Sequence, residues 1–148
     1  WNAGASIGWH LCGYAPHRGL AELVRRLNQL RREEPAFHDL DFDGAGFRWI
    51  DFSDTDNSVV SFLRCGRGGG PIVCIFNCTP VPRVDYRIGV PEEGWYREIL
   101  NSDSELYGGS NLGNAGGVRS DPIPWHNQPH SIRVTLPPLG ALYLKPEA

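Results

Sequence analysis

Methionine is absent from all 148 residues, position 1 included, and the chain opens on Trp1-Asn2. A natural reading frame begins with Met, so the sequence is expected to be a processed product or a piece of a longer protein. No charged-then-apolar leader stands at its front, which in a piece of chain says little about targeting. No stretch approaches the roughly 20 apolar residues of a membrane span. Basic charge is not in excess either. The 14 Lys and Arg face 17 Asp and Glu, a net charge of −3, and this leaves no basic footprint for nucleic acid. Neither a nucleic acid nor a membrane is expected as a partner.

Cysteine is sparse and badly spaced for bridging. The four are Cys12, Cys65, Cys74 and Cys78, an even count that invites a disulfide reading. Yet Cys74 and Cys78 lie in Ile72-Val-Cys-Ile-Phe-Asn-Cys78, which reads as a buried strand. Strand positions four apart are separated by about 13 Å, against the roughly 4.4–6.8 Å that a disulfide spans. The same separation spoils them as a zinc clamp, and no C-x-x-C replaces it. Free thiols acting as small hydrophobes are the expectation, which points to a reducing, cytoplasmic compartment.

Other chemical signatures are also missing. Asp54-x-Asp56-x-Ser58 opens like a calcium loop, but Val59 stands where glycine is needed and Cys65 where glutamate is needed. A hairpin turn fits better. Gly66-Arg-Gly-Gly-Gly70 lies between two strands with no helix N-terminus to cradle a phosphate, so it reads as a loop. Asn77-Cys-Thr79 matches a glycosylation sequon only formally, with Pro80 behind it. Glu33-Glu34, Glu92-Glu93 and Asp103/Glu105 sit in polar, solvated stretches rather than as an acid-base pair. His126 and His130 fall in a proline-bounded loop with no visible metal partner set, and read as surface or loop histidines. No catalytic residue, metal site or cofactor emerges from the residues alone.

What is present organises the chain in two parts. Apolar residues make up 41% of it, too many for a disordered chain, and the length suits one domain. The 18 glycines and 12 prolines together form about a fifth of the chain, where roughly 12% is average. Such punctuation favours short strands and many turns. Residues 17–34 form one exception. Leu20, Leu23, Val24, Leu27 and Leu30 draw a single stripe at helical spacing, Arg25, Arg26, Gln29, Arg32 and Glu33 take the opposite face, and Pro35 stops the helix. From about Phe47 the period changes. Ser58–Arg64, Ile72–Phe76, Tyr86–Ile88, Trp95–Leu100, Ser131–Leu136 and Ala141–Leu144 read as strands, with Ile132, Val134 and Leu136 sharing one face. One helix followed by six to eight short strands predicts an antiparallel sandwich or barrel.

Aromatics are unevenly placed. Trp1, Trp9, His10 and Tyr14 crowd the segment ahead of the helix. Trp95-Tyr96 and Trp125-His126 border later loops, one of them the Gly/Asn-rich run Tyr107–Gly117. Exposed aromatics beside amides can stack on sugars, whereas in a β-domain they more often fill the core or cover strand ends.

Several phrases together carry a family likeness. Trp1-Asn2 through Trp9-His10-Leu11, Leu23-Val-Arg-Arg-Leu-Asn28 and Glu34-Pro-Ala-Phe-His-Asp-Leu-Asp-Phe-Asp43 resemble bacterial glycogen branching enzymes of the α-amylase superfamily. So do Phe76–Arg83, Tyr86–Val90, Trp95–Asp103, Tyr107-Gly-Gly-Ser-Asn111 and Pro129-His-Ser131 leading to Leu136-Pro-Pro-Leu139. The likeness runs through nearly the whole chain, departing mainly at Gly66–Gly70, Cys12, Cys74 and Cys78. It implies a mainly β fold: an antiparallel Greek-key β-sandwich of the α-amylase C-terminal type, preceded by one long amphipathic helix. Residues 1–38 would be the tail of a catalytic (β/α)8 barrel with its last helix, and residues 39–148 the C-terminal all-β domain. Such enzymes cut an α-1,4-glucan and rejoin the freed segment through an α-1,6 bond, using an aspartate nucleophile and a glutamate acid-base in a retaining mechanism. Those motifs are not in this sequence.

The resemblance therefore implies a non-catalytic piece that buttresses the barrel, with α-glucan reached through the parent enzyme. A glucan-binding module is the alternative, with Trp1, Trp9, His10, Trp95 and Trp125 as its candidate contacts. A third reading, the tail of a debranching-type relative, is disfavoured by Asn101-Ser-Asp103 and Tyr107-Gly-Gly-Ser110. Without the barrel, the helix stripe needs a cover, since an isolated helix of this length is marginal in water. Pairing with the same helix of a second chain is expected ahead of folding back onto the β-domain.

Overall fold

The computed structural model describes residues 2–147. Helix α1 spans Ala15–Glu33. It begins two residues before the expected segment 17–34 because Pro16 suits the first turn, where its missing N–H is no loss. It ends at Glu33 because Glu34, held extended at φ −103° and ψ 108°, precedes Pro35. Arg31 and Arg32 sit in the last turn, where cations complement the helix dipole.

Eight strands follow: β1 (Phe47–Asp54), β2 (Val59–Arg64), β3 (Ile72–Asn77), β4 (Arg83–Val90), β5 (Trp95–Asn101), β6 (Gly117–Arg119), β7 (His130–Leu136) and β8 (Ala141–Glu147). A six-stranded sheet runs in the order β1-β2-β3-β8-β5-β6, and β4 pairs with β7 in a second sheet. All the ladders are antiparallel. The neighbours β3–β8 and β8–β5 are not consecutive in sequence, the crossover expected of a Greek-key sandwich. Of the two architectures the periodicity allowed, the sandwich is the one formed. Six strands fall where the patterns placed them. The other two, β1 and β6, carry no clean alternation: β1 is irregular at two points of its register, and β6 has only 3 residues.

Two apolar cores explain the strand patterns. Between the sheets lie Ile50, Val59, Leu63, Val73, Ile75, Ile88, Ile132, Val134, Leu136, Leu142 and Leu144. On the far side of the large sheet, Leu30 and Ala36 pack with Ile72, Cys74, Ile99 and Leu100, joined by Leu23, Leu27, Phe62, Phe76 and Tyr143. Strand β3 is therefore apolar on both faces, with Val73 and Ile75 inward and Ile72 and Cys74 toward the helix. Its continuous hydrophobic run follows from that double burial.

The second core corrects the expectation for the helix. Leu23, Leu27 and Leu30 are covered by the chain's own sheet rather than by a second copy. Leu20 and Val24, on the other edge of the stripe, remain exposed. Close approach is possible because residue 19 is glycine: a Cβ there would lie 2.3 Å from the Tyr107 carbonyl oxygen. The four cysteines are free, Cys74 buried and Cys12 and Cys78 exposed. Burial pushes the Cys74 thiol well above its ordinary pKa.

Candidate functional site: a polar cleft at the sandwich edge

The sandwich edge where β1 meets β4 holds an open cleft of about 470 Å³, lined by Asp51, Asp54, Asn57, Tyr86, Arg87, Trp125 and His126 among others. Each wall has a local cause. On one side, β1 loses register between Trp49 and Asp51 and again between Asp51 and Asp54. Irregular pairing of this kind re-aims side chains at a sheet edge. The β1–β2 turn is then tied by Asp54, whose Oδ1 accepts from the Asn57 N–H at 3.0 Å and from Asn57 Nδ2 at 3.0 Å. This is the hairpin turn read from Asp54–Asn57.

The opposite wall is a two-residue hairpin. Trp125 and Gln128 exchange backbone hydrogen bonds, and the residues between them, His126 and Asn127, have φ of 47° and 58°. Two successive left-handed residues are the signature of a type I′ turn. The turn lies directly on β4, where Gly89 makes room: a Cβ there would stand 2.0 Å from the Trp125 carbonyl oxygen. That placement delivers His126 beside Asp51, with Nε2 3.6 Å from Oδ2. The sequence placed His126 and His130 together in a loop; His126 is at the hairpin tip, whereas His130 opens β7. Asp51 and His126 are 75 positions apart, so no local pattern links them.

Hydrogen bonding and burial set the charges. Burial alone would raise the Asp51 carboxyl, but Ser53 donates to Oδ1 through Oγ at 2.7 Å and N–H at 3.0 Å, and with the His126 charge this holds it below the usual range. His126 moves down as well, since burial outweighs the pull of Asp51 and Asp54. Burial therefore favours its neutral form. The Tyr86 hydroxyl donates to Asp54 Oδ2, and its ionisation is pushed up by burial and by that carboxylate. Arg87 donates through Nη1 to Asp121 at 3.1 Å and to Ser131 Oγ at 2.6 Å, which fixes the guanidinium at the cleft wall. Among the described residues no group of three His, Cys, Asp or Glu side chains could hold a metal ion.

The sugar-contact residues expected from sequence are scattered. Trp1 lies outside the described residues. Trp9 and His10 occupy a 3₁₀ turn ahead of α1, with Trp9 exposed. Trp95 opens β5, its ring seated against Gly117. Only Trp125 lines the cleft. A second, mainly apolar groove of about 380 Å³ runs between α1 and the large sheet, past Leu27, Phe47, Phe62 and Tyr143. Its mouth carries an ion cluster in which Asp41 meets Arg31 at 2.9 Å and Arg64 at 2.5 Å.

The chain is 49% identical over 148 residues to the 1,4-alpha-glucan branching enzyme GlgB of Aquifex aeolicus, covering 99% of this chain and 24% of that protein. It is 51% identical over 146 residues to the enzyme of the same name from Cereibacter sphaeroides, covering 99% of this chain and 20% of that one. The chain thus spans a fifth to a quarter of these relatives. Among solved structures, an α-amylase from H. orenii superposes with a TM-score of 0.50 at 20% identity, over 86% of this chain and 20% of that one. That likeness supports the fold. The family described as "Alpha amylase, C-terminal all-beta domain" matches residues 49–147, β1 to β8 of the sandwich, and the chain belongs to that family.

Proposed function

We propose that this chain is the C-terminal part of a cytoplasmic 1,4-α-glucan branching enzyme, without turnover of its own, and that it buttresses the catalytic barrel. The observation that carries the reading is near-50% identity along 99% of the chain to enzymes four to five times as long. Residues 1–38 then belong to the barrel's tail, with α1 as its last helix, and residues 39–148 form the β-domain. A surface suited to the barrel supports this. Rings on the α1 side of the large sheet form a chain: Phe52–Trp49 at 5.3 Å, Trp49–Phe62 at 5.8 Å, Phe62–Phe76 at 5.7 Å and Phe76–Tyr143 at 6.2 Å between centroids. Its outer end is open, with Trp49 48% and Phe52 65% exposed. Leu20 and Val24 of α1 are exposed too. Apolar surface of this kind marks a partner interface.

The two carboxylates of the cleft are already engaged, Asp54 by Asn57 and Tyr86 and Asp51 by Ser53, which does not suit the forming and releasing of a glycosyl intermediate. An iodine-stain assay on amylose with the purified chain tests the reading. No loss of absorbance is expected, and a loss that tracks purity would overturn it.

A further inference from the structure

We infer that the cleft between the β1 irregularity and the Trp125–Gln128 hairpin is a binding site for a neutral carbohydrate, an α-1,4-linked glucan segment. The choice of α-glucan rests on the branching-enzyme reading; the class of ligand follows from the cleft. Its volume of about 470 Å³ falls within the roughly 300–1,000 Å³ of small-molecule sites. Trp125 is 46% exposed at its rim and offers a ring on which the apolar face of a sugar can stack. An anion is disfavoured by Asp51 and Asp54, whose only cationic neighbour lining the cleft, Arg87, is already held by Asp121. A metal ion lacks a third ligand among the described residues. A polyol suits what remains.

The polar atoms fit hydroxyl groups in detail. His126 Nδ1 accepts from the Gly89 N–H at 3.4 Å, which leaves the ring proton on Nε2. That N–H faces Asp51 Oδ2 across 3.6 Å, too far for a hydrogen bond. A sugar hydroxyl there would accept from Nε2 and donate to the carboxylate, completing both. The backbone keeps this gap at a cost. His126 sits in the left-handed region, Asp51 lies between two breaks in the β1–β2 register, and Gly89 is shaped to seat the hairpin. Strain and irregular pairing converging on one pair of side chains accord with a binding role.

The test compares retardation in native gels containing glycogen with calorimetric titration by maltoheptaose. The chain is expected to be retarded, and Trp125→Ala to weaken maltoheptaose binding at least tenfold, with Asp51→Asn weakening it several-fold. Trp95→Ala and Trp9→Ala should leave binding unchanged. His126→Gly separates binding from folding: glycine relieves the left-handed backbone, so the melting temperature should hold or rise while binding falls. Absence of binding, or binding indifferent to Trp125→Ala and His126→Gly, would overturn the site. Equal affinity for cellohexaose would overturn the α-glucan assignment. None of these outcomes bears on the absence of turnover in this chain, which the iodine assay tests separately.

Discussion

Gly89 and His126 show how much single residues settle here. Gly89 is buried in β4, and an added methyl would collide with backbone rather than with a movable side chain. Gly89→Ala is therefore expected to destabilise the fold by about 1–3 kcal/mol, the usual cost of overpacking, as read by denaturant titration. His126 sets a pH dependence. Its folded pKa lies below the ordinary histidine value of 6.5, so the unfolded chain binds the proton more readily. Its contribution to stability is complete above that value and is lost as the pH falls through the folded pKa. The carboxyls of Asp51, Asp54 and Asp103 are also depressed in the fold. Their contribution is present above the unfolded carboxylate range and is lost on further acidification. Thermal melts should fall in two stages as pH drops, and His126→Gln should remove the first. A wild-type melting temperature that is flat between pH 7 and 5 would contradict the His126 environment.

At the scale of elements, α1 shows what a sequence stripe can and cannot say. The five apolar positions are on one face, as their spacing required, but the fold divides them. Leu30 is 2% exposed, whereas Leu20 is 60% exposed. The reason is the way α1 is turned about its own axis: Leu23, Leu27 and Leu30 form the edge of the stripe that packs with Ile72 and Cys74, whereas Leu20 and Val24 form the outer edge, and Gly19 lies against the Tyr107 loop. Substitutions should divide the same way. Leu23→Lys with Leu27→Lys removes apolar burial worth roughly 1.5–3 kcal/mol for a fully buried side chain and should lower the melting temperature clearly. Leu20→Lys with Val24→Lys should leave the isolated chain's melting temperature within about 2 °C, since surface changes usually stay within about 0.5 kcal/mol. Equal effects from the two pairs would mean that the helix is seated differently.

For the whole molecule, three layers matter: α1, the six-stranded sheet and the β4–β7 pair. The outer end of the aromatic chain on the α1 side is what the isolated chain leaves in water. Trp49→Asp with Phe52→Asp should leave the melting temperature of the 148-residue chain almost unchanged. Carried into the full-length enzyme, the same pair should lower thermal stability by several degrees, because a charge would be buried in an interface without a partner. No change in the full-length enzyme would remove this face as the barrel contact.

Much of this was legible in the order of residues. Alternation of Ile132, Val134 and Leu136 set the inward face of β7. The spacing from Leu20 to Leu30 set α1, Pro35 its end, and Asp54–Asn57 a turn. The family likeness agrees with the observed sandwich. These are local matters, decided by side-chain period and by backbone restrictions that each short segment carries within itself. What the sequence did not disclose is non-local. β1 has no period because its register breaks twice, and β6 is too short to show one. The cover of α1 is a sheet assembled from distant strands, not a second chain. The pairing of Asp51 with His126 needs a hairpin tip to settle on Gly89, and contact across two sheets exists only after both have formed. Tertiary structure alone decides which exposed tryptophan faces a cleft, since Trp9, Trp95 and Trp125 look alike along the chain and differ only in what folds beside them.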